Sequence, residues 1–84
     1  MDFGCALKEM RKGNRVHRPG WDGNFPRPRL YLVLVPRSAL PVMISGVECR
    51  LMPYIAISTS GGDFVPWVPS MMDLLETDWE ITVT

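Results

Sequence analysis

Leu30-Tyr31-Leu32-Val33-Leu34-Val35 runs for six positions without a charge or a turn-forming residue. The run is too short for an amphipathic helix and is bounded by prolines and arginines, so it reads as a β-strand. Strand alternation places Leu30, Leu32 and Leu34 on one face and Tyr31, Val33 and Val35 on the other. An antiparallel strand with one wet face should alternate apolar and polar residues, and this one does not. One face can meet a helix of the same chain. The other face calls for a second cover, and a second subunit is the simplest one.

Upstream of this strand, Phe3, Ala6, Leu7 and Met10 fall at i, i+3, i+4 and i+7, one stripe of a helix. Asp2 suits its N-cap, Lys8, Arg11 and Lys12 suit its C-terminal end, and Gly13 suits its left-handed stop. Cys5, inside this helix, reads as a packing residue, as does Cys49. Arg15-Val16-His17-Arg18 follows as a short strand with Val16 facing in and Arg15 and His17 on the opposite face. Pro19-Gly20 turns the chain into Trp21-Asp22-Gly23-Asn24, and residues 25–29 hold two prolines and form a loop.

Downstream, residues 36–53 read either as a long excursion or as a short extra hairpin around Ser45-Gly46. Tyr54 to Ser58 is a strand, Ser60-Gly61-Gly62-Asp63 a hairpin turn, and Phe64-Val65 the return strand, ended by Pro66 and Pro69. Ser70, three residues before Asp73, is placed to cap a short helix over residues 71–75. Trp79, Ile81 and Val83 then alternate with Asp78, Glu80 and Thr82, a final strand with one buried face. The expected class is α+β: an N-terminal helix packed on a four- to five-stranded antiparallel sheet, with a short helix before the C-terminal strand, in one domain over residues 1–84.

The chain has 84 residues with nine basic and nine acidic side chains, but the charges are segregated. All nine Lys and Arg precede residue 51, alongside four acids, whereas residues 51–84 hold five acids and no Lys or Arg. A groove binder of duplex DNA is expected to be net positive, which disfavours that partner. The N-terminus mixes acids and bases with apolar residues, so it is neither a signal peptide nor a membrane span, and a cytoplasmic protein with reduced thiols is expected. A small core needs help, and self-association is the expected source.

Catalytic and metal chemistry find few residues. The single His (His17) and two Cys match no zinc spacing, and no phosphate loop, zinc-protease motif or nucleophile elbow is present. The acidic run Asp73, Glu76, Asp78 and Glu80 reads as solvated faces rather than a cation site, so no metal or cofactor is expected. A binding vocabulary remains. Trp21 and Trp67 sit in Gly- and Pro-punctuated loops, where an indole either plugs the core edge or offers a flat face to a base. Arg15, Arg18, Arg27 and Arg29 flank Trp21, and guanidinium groups suit phosphate. The Ser70/Asp73 pair is either a helix cap or a hydrogen-bonding pair in a pocket.

Residues 3–23, with Phe3-Gly4, Ala6-Leu7, Met10, Gly13, Val16, Arg18 and Gly20-Trp21-Asp22-Gly23, resemble the opening of the Thoeris anti-defence sponge family of the second type. Val65-Pro66-Trp67, Ser70, Asp73, Leu75 and Asp78-Trp79 resemble its far end. The resemblance implies a small α+β phage or prophage protein that forms homo-oligomers, often tetramers. It implies a sponge that binds cyclic nucleotide immune signals without cleaving them. These are glycosyl-cyclic ADP-ribose isomers made by bacterial TIR-domain proteins and, in some members, cyclic dinucleotides. The matching ligand-binding candidates are Trp21, Asn24, Trp67, Ser70 and Asp73, with Arg18 for phosphate. Trp21 and Trp67 suit base stacking; Ser70 and Asp73 suit ribose hydroxyls. The proline- and arginine-rich stretch 24–29 departs from the family pattern. The competing reading is a protein-interaction or structural module of a phage or host complex without a small ligand, motivated by the two-sided apolar strand. An enzyme using Asp73 or Asp78 as base is the third reading, and no catalytic set supports it.

Overall fold

The computed structural model describes residues 1–21, 30–59 and 61–83. Residues 22–29, Asn24 among them, and Ser60 and Thr84 lie outside the described residues, and with them the loop expected over 25–29. Helix α1 (Phe3–Arg11) forms where the apolar stripe predicts it. The Asp2 carboxylate accepts from the Cys5 N–H at 2.8 Å, satisfying one free donor of the first turn. At the other end Gly13 takes φ +97°, the left-handed conformation that a β-carbon disfavours.

Five strands build the main sheet: β1 (Arg15–His17), β2 (Leu32–Val35), β5 (Tyr54–Ser58), β6 (Phe64–Pro66) and β7 (Glu80–Thr82). Their order is β6-β5-β2-β1-β7, with every neighbouring pair antiparallel. The register sets Val65, Ile57, Leu32, Val16 and Ile81 in one row across the sheet. The centre of this row faces α1, where Ala6 and Met10 join Val16, Leu32 and Trp79 in the core. Helix α2 (Met71–Leu75) precedes β7, capped by the Ser70 hydroxyl, which accepts from the Asp73 N–H at 3.1 Å. The α+β architecture is as expected.

Residues 36–53 resolve as the short hairpin, with strands β3 (Val42–Ile44) and β4 (Val47–Cys49) forming a separate two-stranded sheet. Ser45 and Gly46 both take positive φ, 51° and 78°, as a tight two-residue hairpin turn requires.

Four local expectations need correction. The central strand begins at Leu32 rather than Leu30, because the Tyr31 N–H turns to the Ser58 hydroxyl at 3.0 Å. Cys5 is exposed rather than packed, since it lies off the helical stripe that meets the sheet. His17 is buried although it opposes Val16 across the strand; its Nδ1 lies 2.7 Å from the Thr82 hydroxyl. In the last segment only Trp79 is buried, while Val83 is 80% exposed. β7 is an edge strand, and Val83 lies one residue past Thr82, the last position that β7 pairs with β1.

Candidate functional site

Three tryptophans and Phe3 converge on the helix-covered side of the sheet. Trp79 is the hub, 1% exposed. It meets Phe3, Trp21 and Trp67 edge-on at ring-centroid distances of 5.2, 5.3 and 6.0 Å. Edge-to-face packing brings the positive rim of one ring to the negative face of the next. The indole N–H of Trp79 donates to the Asp73 carbonyl at 2.9 Å, so its one polar atom is satisfied within the core. The Trp79 backbone N–H donates to the Met1 carbonyl at 3.1 Å, fixing the start of β7.

Trp21 and Trp67 form the rim of this cluster, both half-buried, 6.4 Å apart. Each is set by local chain geometry. Trp21 ends a single 3-10 turn, Pro19–Trp21, closed by its own N–H on the Arg18 carbonyl at 3.1 Å. Trp67 follows Pro66, and its N–H donates to the Ile55 carbonyl at 2.9 Å, extending the edge pairing by one residue. Pro66 is tolerated because β6 is an edge strand. The two indoles therefore plug the core edge with one side and keep the other partly open.

Arg18 closes the site from β1. Its Nε and Nη2 donate to the two oxygens of Asp78 at 2.8 and 3.3 Å, and its Nη1 donates to Asp73 at 2.8 Å. This clasp ties β1 to α2 and to the start of β7. It raises the Arg18 pKa, first through Asp78 and then Asp73. The hydrogen bond from Arg18 holds the Asp78 carboxyl below its ordinary range. At Asp73 partial burial pushes the pKa up, but the bonds from Arg18 and Ser70 outweigh it and the net shift is downward. One guanidinium thus faces two carboxylates, and the clasp is locally net negative. A guanidinium has five N–H donors, three of which are used here.

The structure brings Trp21, Trp67, Ser70, Asp73 and Arg18 to one side of the molecule around Trp79. Asn24 lies outside the described residues. Asp78 and Phe3 were missed as members of this assembly. Asp78 carried a signal, since two carboxylates beside Trp79 in an all-acidic segment demand a cation from elsewhere. Phe3 read only as part of a helix stripe.

A larger class is now in view. The chain matches the Thoeris anti-defense 2-like domain over residues 1–82 and belongs to that family. Membership gives it an anti-defence role. Among its relatives, the protein named Thoeris anti-defense 2 of Bacillus phage SP01 is 32% identical over 90 residues, covering 96% of this chain and 93% of that protein. Among the described residues no helix is long and apolar enough to cross a membrane.

Proposed function

We propose that the chain is a sponge: it sequesters a cyclic nucleotide immune signal, a glycosyl-cyclic ADP-ribose isomer or a cyclic dinucleotide, and releases it intact. The protein acts in the bacterial cytoplasm as a homo-oligomer, a tetramer in the family pattern. The observation that supports this most is the pairing of Trp21 and Trp67 on one half-open rim. A base stacks on the open indole faces, and Asp73 and Ser70 meet ribose hydroxyls. Arg18 acts chiefly as a positioning residue, holding the Asp73 carboxylate, while two of its donors have no partner among the described residues and suit the ligand. Competition with an effector calls for binding near nanomolar, about −12 kcal/mol. Stacking at ~1–3 kcal/mol per base and charged hydrogen bonds at ~1.5–3 kcal/mol each reach that range in a preformed site.

Calorimetry with cyclic ADP-ribose isomers and cyclic dinucleotides tests the proposal, followed by heating and mass analysis of the released molecule. Intact ligand is expected. Absence of binding at about 10 µM, well above the useful range, sinks the sponge, and product after overnight incubation makes it an enzyme. The second reading, a protein-interaction module, is favoured by the exposed apolar residues of the β3–β4 hairpin and α2. A monomer that binds none of these nucleotides would support it.

A further inference from the structure

Within the Arg18 clasp, the guanidinium edge that a phosphate needs is already taken. Nε and Nη2 donate side by side to the two oxygens of Asp78, at 2.8 and 3.3 Å. Two parallel N–H donors on one edge are the fork with which arginine grips a phosphate. Asp78 fills that fork from within the chain. A third donor, on Nη1, goes to Asp73 at 2.8 Å. The next residue after Asp78 is Trp79, buried in the aromatic cluster and 1% exposed, so the carboxylate is presented from a fixed point of the backbone.

Charge acts in the same direction. The three clasp side chains sum to +1 − 2 = −1. The hydrogen bond from Arg18 holds the Asp78 carboxyl below its ordinary range, so it is ionised at neutral pH. The Arg18 and Asp73 side chains are 18% and 19% exposed, whereas Asp78 is 46% exposed. An approaching group therefore meets the carboxylate before the guanidinium. A phosphate oxygen drawn to the two remaining N–H donors comes close to both carboxylates, a repulsive contact. A hydroxyl or a base nitrogen in the same place accepts the hydrogen bond without that penalty.

We propose that Asp78 is a specificity-determining residue: it closes the phosphate fork of Arg18, so this side of the site admits the uncharged part of a nucleotide and turns phosphate away. This rests on the reading of the site as a nucleotide pocket. It gives the bound ligand a direction, with base edge or ribose hydroxyls toward the clasp and phosphates away from it. It also suits a sponge. An open arginine fork fills with any phosphate compound in the cell, whereas a closed one stays free for a ligand chosen by its base and sugar.

Inorganic pyrophosphate is the probe, with calorimetry on the full chain at low salt as the readout. The wild type is expected to show no binding at about 1 mM. Asp78→Asn keeps the side-chain shape, brings the clasp to +1 − 1 = 0 and frees Nε and Nη2. It is expected to bind pyrophosphate at least about tenfold more tightly, with an affinity that falls as salt rises. Asp78→Glu retains the carboxylate and is expected to stay closed. Arg18→Gln added to Asp78→Asn is expected to abolish the gain. A carboxylate that only ties β1 to β7 gives lower stability on removal and no new affinity for an anion. Pyrophosphate binding by the wild type that Arg18→Gln removes overturns the proposal, as does a folded Asp78→Asn chain that gains none. Neither result bears on the sponge reading, which stands or falls on binding of the cyclic nucleotides themselves.

Discussion

Trp79 shows at the residue scale how structure and site share the same atoms. It is the largest fully buried side chain and the ring on which Phe3, Trp21 and Trp67 all lean. Trp79→Ala is expected to destabilise the chain by about 3–5 kcal/mol, a large share of the stability of a domain this size at ~0.05–0.15 kcal/mol per residue. Urea denaturation with far-UV detection measures it. Trp67 stands at the rim, so Trp67→Ala is expected to weaken ligand binding at least about tenfold, the size of one lost base stack, while the oligomer persists. Calorimetry paired with light scattering checks both halves, and unchanged affinity would make Trp67 a packing residue only. The roles of these rings were legible to different degrees. Trp79 announced its burial through strand alternation, whereas Trp21 and Trp67 sit in loops without a period, and only the fold shows them touching.

At the element scale the Arg18 clasp joins β1, α2 and β7. Both carboxyls lie below their ordinary value of 3.8 in the folded chain. A depressed carboxylate stabilises the fold fully above its unfolded pKa and loses that contribution as pH falls through the folded value. The clasp is therefore expected to hold from neutral pH to about pH 4 and to open below it. Tryptophan emission should report the opening, because Trp79 donates to the Asp73 carbonyl. In an Arg18→Gln variant the emission change should begin at higher pH; an identical acid profile would remove the clasp from the account. The β3–β4 turn gives a second test. Gly46 takes φ +78°, so Gly46→Val is expected to unravel the hairpin by forcing a β-branched residue into the left-handed region. Hydrogen exchange should rise at residues 42–49 and stay unchanged in β1, β2 and β5.

For the whole molecule, the segregation of charge along the chain acquires a location. The basic half supplies Arg18 to a clasp whose acids come from the other half. It also supplies Arg37 and Arg50, which form no ion pair among the described residues. Assembly should accordingly weaken as salt rises, since exposed charges are screened beyond about 8–10 Å at physiological ionic strength. Sedimentation at low and high salt checks this. An association constant insensitive to salt would mean that apolar contacts alone hold the copies together.

The sequence by itself determined the periodic elements: the capped helix from Phe3, the apolar strand through Val35, the Ser70-capped helix and the α+β class. Local chemistry suffices there, because a cap, a stripe or an alternation depends on neighbours within a few positions. The tertiary structure decided everything that joins distant residues. It set the strand order and gave Arg18 to two carboxylates, at positions 73 and 78. It turned the 36–53 segment into a hairpin rather than a loop. It also left Val83 in solvent where alternation promised a core. Burial depends on what lies opposite, and Val83 falls past the last paired residue of an edge strand.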